Sequence, residues 1–100
     1  MIRHIVVFRL NATDAQRRHV DATGLKSRLE PLKDVIPGVL SLEVHIDRGL
    51  IATHWDAVLV ADYPSNEALE AYQSHPEHVA AVTWVNTVVA DRAVVDYEIT

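Results

Sequence analysis

Residues 71–82 contain the side chains of this sequence best suited to chemistry. They include Tyr72, followed by His75 and His78, which lie three residues apart with Pro76 between them. An unperturbed histidine has a pKa of about 6.5, so it can act as a general base near neutral pH. A tyrosine hydroxyl can donate a hydrogen bond to an oxyanion or to an imidazole. Together these groups could take a proton from a carbon flanked by carbonyls and hold the enolate, with no metal or cofactor required.

Each of these side chains also has a purely structural interpretation. His78 suits a catalytic role in a pocket and equally a helix start, where a backbone group would satisfy it. Tyr72 could simply pack beside Leu69. His75 is better explained as an N-cap or turn residue, because Pro76 disfavours helical dihedrals in the residue before it and suits the first position of a new helix.

His4 is the third polar candidate, and it shares an apolar strand face with Val6 and Phe8. A polar group there needs a partner or water, which favours a cavity over a dry core. A metal site is not expected. His75 and His78 are close in sequence, but there is no HExxH pattern and no carboxylate is fixed by spacing to complete a ligand set.

The elements that must position these groups follow from hydrophobic periodicity. Apolar residues alternate along residues 2–10, 39–47, 54–62 and 92–99, which predicts four strands. The first has two largely apolar faces and should be central, whereas the second has one polar face and should lie nearer an edge. With a helix after the first strand and another after the third, the order is β-α-β-β-α-β. This is the α+β, ferredoxin-like plan of a four-stranded antiparallel sheet with helices on one face.

Local signals place the helix ends. Residues 13–16 match a capping box with Thr13 as N-cap. Gly24 costs about 1 kcal/mol relative to Ala inside a helix, and Pro31 predicts a break near Glu30. Ser65 is expected to cap the second helical segment.

A second apolar sheet face predicts a partner. Helices would cover one face, and the other is expected to show Val6, Phe8, Trp55 and Leu59 with nothing in a single chain to cover them. An apolar face of that size implies an interface, so we expect a homodimer that closes two sheets into a barrel. Trp55 and Trp84 are expected in the core or at the dimer seam.

Size and composition set the remaining limits. With 100 residues, one domain over residues 1–100 is expected. A net charge of −5 without a basic run argues against nucleic acid or an anionic membrane as partner. There is no cysteine, and the apolar N-terminal stretch is too short for a signal peptide or a bilayer span, so the cytoplasm is predicted. Asp91, Arg92 and Asp96 are expected to form surface pairs that contribute little.

Four stretches of the chain resemble one known family. They are RHIVVFRL, IPGVLSLEV, HWDAVLVADYPSNEALEAYQSHPEHV and RAVVDYEI, and they cover nearly the whole sequence. They resemble the stress-responsive dimeric α/β-barrel (Dabb) family, with HPEH as the most specific part. The resemblance implies a ferredoxin-like protomer and a homodimer. Haem-degrading monooxygenases are related dimeric barrels that need an axial histidine, and the HPEH match points away from them.

One branch of this family, similar to olivetolic acid cyclase, closes linear polyketides by aldol chemistry. That resemblance implies His78 as general base assisted by Tyr72, with His4 in the pocket. It implies a substrate-binding wall made by Val6, Phe8 and Leu59, and it aligns Val20 and Gly24 with large aromatic residues that contact the substrate in cyclases. Because those two residues are small, the cyclase substrate class should not be transferred.

Two functions therefore remain open. The first is a cofactor-independent small-molecule pocket with cyclase- or isomerase-like proton transfer; a solvent-connected cavity where His4, Tyr72 and His78 converge would favour it. The second is a non-enzymatic stress-responsive dimer or assembly protein, favoured by a filled interior and a His78 bound to the backbone.

Overall fold

A computed structural model describes all 100 residues. The strands are β1 (Ile2–Leu10), β2 (Ser41–Ile46), β3 (Ala57–Tyr63) and β4 (Val89–Glu98). The helices are α1 (Ala15–Leu29), α2 (Leu32–Val35), α3 (Asn66–Ser74) and α4 (Pro76–Val88). All pairings are antiparallel, and the sheet order is β2-β3-β1-β4. The ferredoxin-like α+β fold is confirmed, with β1 inside the sheet and β2 at its edge. None of the helices combines the length and the apolar character that a membrane span requires.

The two faces of the sheet differ from the prediction. Val6, Phe8 and Leu59 are only 7%, 3% and 4% exposed, because they lie on the face that the helices cover. The expectation that they form the uncovered face was wrong. Both faces of β1 are apolar, so hydrophobicity alone does not reveal which one packs against the helices.

The uncovered face is made by the alternate positions of the same strands. It carries a band of aliphatic residues matched across the register: Ile5, Val7, Val58, Val60, Ala93 and Val95. Trp55 precedes β3 and lines a hollow on this side. Arg3 and Asp62 form a two-bond ion pair beside the band, with N–O distances of 2.8 and 3.0 Å. The predicted second apolar face therefore exists, on different residues.

Helix α1 begins one residue later than the capping box suggested. Asp14 is the N-cap, and its carboxylate accepts a hydrogen bond from the backbone N–H of Arg17 at 2.8 Å. The prediction of Thr13 was wrong because an aspartate in the next position fulfils the same role with the same spacing. The break at Pro31 is confirmed, since α1 ends at Leu29 and α2 begins beyond the proline.

Gly24 lies inside α1 and does not interrupt it. A Cβ at this position would be 2.5 Å from Cη2 of Trp84 on α4, so the glycine allows the two helices to approach. The guanidinium of Arg28, one turn further along α1, lies 4.3 Å from the centre of the Trp84 ring.

The junction of α3 and α4 follows the local signals. Ser65 caps α3 by accepting from the N–H of Ala68 at 3.2 Å. Nδ1 of His75 accepts from the N–H of Glu77 at 3.1 Å, which confirms its N-cap role, and Pro76 opens α4. The bend at this proline places His78, in the first turn of α4, beside the end of α3 that contains Tyr72.

Candidate functional site

A cavity of about 200 Å³ lies between the sheet and the helices. Residues from β1, β3, β4, α1, α3 and α4 line it: His4, Val6, Phe8, Leu29, Leu59, Tyr72, Gln73, His78, Val82, Val85, Arg92 and Val94. Val94 pairs with Val6 and so faces the helices, yet it is 50% exposed. The helices leave this side of β4 uncovered, and the cavity opens to solvent there. We call this opening, beside Arg92 and Val94, the mouth.

The predicted polar residues converge on this cavity. The rings of Tyr72 and His78 are 4.5 Å apart between centroids. Tyr63 connects them to the first strand, at 5.2 Å from the Tyr72 ring and 6.3 Å from the His4 ring. Tyr63 was missed from the sequence because it lies just beyond the predicted strand of residues 54–62, whereas β3 extends to it.

Tyr72 is buried, with 1% of its surface exposed. Its hydroxyl makes no hydrogen bond to a protein group, and neither does that of Tyr63. Buried hydroxyls are normally paired, so the unpaired Tyr72 hydroxyl is an exception. The Tyr72 side chain lines the cavity, and its hydroxyl oxygen itself is almost inaccessible to solvent. Burial raises the pKa of Tyr72 to about 12, which keeps the hydroxyl protonated, as a donor, at neutral pH.

His78 has a defined tautomer. Its Nδ1 lies 2.9 Å from the carbonyl oxygen of Gln73, and because a carbonyl only accepts, Nδ1 must carry the proton. In the neutral ring the lone pair is then on Nε2. Burial lowers the pKa of His78 below its ordinary 6.5, and electrostatic interactions with the His4 and Arg92 side chains lower it further, against an opposing effect of the Gln73 carbonyl. The ring is therefore a neutral base at pH 7. It is both bound to the backbone and part of the cavity wall, so the two interpretations of His78 do not exclude each other.

His4 is 6% exposed and is held by a carboxylate. Its Nδ1 lies 2.5 Å from Oδ1 of Asp96, which leaves Nε2 as its free ring nitrogen. The expectation of a surface pair for Asp96 was wrong, because β1 and β4 pair with His4 directly opposite Asp96. Asp91 does form an exposed pair, with Arg9, at 3.9 Å.

The residues expected to bind substrate divide into two groups. Val6, Phe8 and Leu59 line the cavity together with His4. Val20 and Gly24 do not line it. Val20 is 52% exposed, and the Trp84 ring occupies the space beside Gly24. The α1 residue that reaches the cavity is Leu29, more than one turn further along the helix. No group of three or more metal-ligating side chains is close enough together to hold a metal ion.

Comparison with protein families matches residues 2–99 to the stress responsive A/B barrel domain. The chain belongs to this family. Solved structures of similar proteins agree with the fold. A dimeric protein of unknown function from Bacteroides fragilis is 28% identical, with a TM-score of 0.87 over 98% of this chain and 95% of that one. A dimeric ferredoxin-like protein of unknown function from Thermobifida fusca is 33% identical, with a TM-score of 0.80 over 98% of this chain and 90% of that one.

A Dabb family protein with a ferredoxin-like fold from Mesorhizobium loti is 28% identical. Its TM-score is 0.68 over 99% of this chain and 96% of that one. No curated protein sequence matches the chain.

Proposed function

We propose that the cavity binds a small carbonyl compound and that His78 and Tyr72 perform cofactor-independent acid–base chemistry on it. One observation supports this above all: a buried, unpaired phenol lies against an imidazole whose Nδ1–H is fixed by Gln73, in a cavity open to solvent. A proton donor and a neutral base thus face the same space. The olivetolic acid cyclase-like motif residues favour the same roles.

The proposed reaction begins with removal of a proton. Nε2 of His78 takes it from the carbon beside a carbonyl, and the electron pair of that C–H bond moves to the carbonyl oxygen. Tyr72 donates a hydrogen bond to this oxygen as it becomes negative, which stabilises the enolate. The enolate carbon then either attacks a second carbonyl of the molecule, which closes a ring, or takes a proton at another position. In both cases the proton on His78 returns to the product.

The remaining residues of the proposed site bind and orient the substrate. His4, held by Asp96, presents Nε2 to a polar group of the ligand. Val6, Phe8 and Leu59 form the apolar wall and reduce the access of water, which strengthens hydrogen bonds within the cavity.

Deuterium exchange tests the proposed chemistry. Ethyl 3-oxobutanoate in D₂O should lose its C2 proton signals faster with the protein than in buffer, as followed by ¹H NMR. His78→Gln should reduce the catalysed rate by at least about 100-fold, the low end for a general base, and Tyr72→Phe should also reduce it. His19→Gln, at an exposed histidine outside the cavity, is the matched control. No catalysed exchange, or exchange unchanged by His78→Gln, would reject the proposal and leave the non-enzymatic dimer.

We also propose that the working form is a homodimer that buries the aliphatic band. Solved relatives are dimeric, and this chain presents an unusually apolar sheet face with its charged Arg3 and Asp62 already paired. Sedimentation at micromolar concentration should give twice the chain mass, and Val60→Glu, within the band, should give the mass of one chain. A stable wild-type monomer would contradict this. A single domain over residues 1–100 and a cytoplasmic location are part of the same proposal.

A further inference from the structure

Arg92 is the one cavity-lining residue with a permanent charge. Eight of the twelve lining residues are hydrophobic, and the others besides Arg92 are His4, Gln73 and His78. No aspartate or glutamate lines the cavity. The only fixed charge that a bound molecule meets is therefore positive.

The guanidinium of Arg92 is not neutralised by a carboxylate. Its Nη2 donates to Oδ1 of Asn86, a neutral amide. The two acidic residues closest to it in β4 are engaged elsewhere, Asp91 with Arg9 and Asp96 with His4. Arginine has five N–H donors in a fixed planar fork, so several remain free at the mouth.

The position of Arg92 suits contact with a ligand that reaches His78. It pairs with Phe8 in the register of β1 and β4, so its side chain is on the helix side of the sheet. Its charge contributes to lowering the pKa of His78, which indicates that its field extends across the cavity. A molecule lying along the apolar wall would thus have one end at the guanidinium and the other near the imidazole.

We propose that the substrate is a small monocarboxylate whose carboxylate binds Arg92 at the mouth, which deepens the proposed function and rests on it. The planar fork of arginine matches a carboxylate through two parallel hydrogen bonds. The hydrocarbon part of the substrate lies against Phe8, Leu59 and Val85, and its reactive carbonyl lies between Tyr72 and His78. A cavity of about 200 Å³ is smaller than the roughly 300–1,000 Å³ of sites for drug-sized ligands, which limits the substrate to a short chain or a single ring.

Hexanoate and hexanamide test this inference, because they are similar in shape and differ in charge. ¹H–¹⁵N NMR titration should show wild-type protein binding hexanoate at least about 10-fold more tightly than hexanamide. Arg92→Gln should abolish the preference. Arg48→Gln changes the net charge equally at an exposed position outside the cavity and should preserve it. Equal affinity of the wild type for hexanoate and hexanamide would overturn the inference, and this result does not depend on whether Arg92→Gln folds. A preference for hexanoate that persists in a folded Arg92→Gln protein would also overturn it.

This titration can fail independently of the proposed reaction, because hexanoate binding needs no proton transfer and the exchange probe, ethyl 3-oxobutanoate, is uncharged. Catalysed exchange without a carboxylate preference would reject the role of Arg92 alone. A carboxylate preference that depends on Arg92, without catalysed exchange, would reject the acid–base chemistry alone.

Discussion

Replacing Gly24 with alanine should change the free energy of unfolding, and whether it raises or lowers it should depend on the presence of the Trp84 ring. In an ordinary helix interior the change stabilises by about 1 kcal/mol, because alanine loses less backbone entropy on folding. Here the new Cβ would lie 2.5 Å from Cη2 and 2.9 Å from Cζ2 of the Trp84 indole. Overpacking of this kind costs about 1–3 kcal/mol. Movement of the indole away from α1 would also weaken its contact with Arg28, at 4.3 Å, which is a further loss of about 0.5–1 kcal/mol.

These terms predict that Gly24→Ala destabilises the wild type by about 1–2 kcal/mol, since the steric terms exceed the helix-propensity gain. In a Trp84→Leu background the clashing ring atoms are absent, and the same change should stabilise by up to about 1 kcal/mol. The free energy of unfolding can be measured by urea denaturation followed by far-UV circular dichroism, which does not depend on the tryptophan. All variants must be compared at one protein concentration, because dimerisation links stability to concentration.

A double-mutant cycle then isolates the contact between the two positions. The coupling free energy should be about 2–3 kcal/mol, the cost of the overlap and of the weakened Arg28 contact, because the helix-propensity gain is the same in both backgrounds and cancels. Stabilisation by Gly24→Ala in the wild type, or an equal effect in both backgrounds, would refute this account of the helix contact. Because Gly24 lies outside the cavity, the folded double variant should catalyse deuterium exchange at the same rate as Trp84→Leu alone. A different rate would support the substrate-binding role that the cyclase resemblance suggested for Gly24.

Two further predictions concern the histidines. The catalysed exchange rate should fall at acid pH with an apparent pKa below 6.5, because only the neutral His78 ring is a base and burial disfavours its protonated form, as do electrostatic interactions with His4 and Arg92. A pH–rate profile with its acid inflection at or above 6.5 would contradict this. Asp96→Asn should lower the catalysed exchange rate by about 10-fold, because it releases His4 from its fixed orientation. Asp91→Asn, on the same strand, should leave the rate unchanged. Equal rates for the two variants in the same NMR exchange measurement would show that Asp96 is not part of the site.

Local signals in the sequence were sufficient for the elements and for part of the site. Period-two alternation identified the strands, and Pro31 and Pro76 marked the helix breaks, because a missing N–H and a fixed φ act on immediate neighbours. The same local rule identified His75 as a cap. The grouping of Tyr72 with His78 was predicted from the motif, and the structure explains it, since the proline bend brings the end of α3 against the first turn of α4.

The partners of these groups depended on long-range geometry. Asp96 lies opposite His4 only through the register of β1 and β4. The two residues are 92 apart in the sequence, and no local pattern fixes a register at that separation. Arg92 lines the cavity because the helices leave one side of β4 uncovered, which is a property of packing. The neutral state of His78 likewise depends on burial, which the sequence does not specify residue by residue.

The sequence by itself therefore determined the ferredoxin-like order of elements, the helix breaks and the chemically useful side chains, because each of these depends on residues that are neighbours along the chain. The tertiary structure alone decided which sheet face the helices cover, which carboxylate holds His4, and that one arginine stands at the mouth of the cavity. Those outcomes depend on how distant segments pack. Where both faces of a strand carry large apolar residues, burying either one removes apolar surface from water, so the alternating pattern of one strand does not by itself show which face the helices cover.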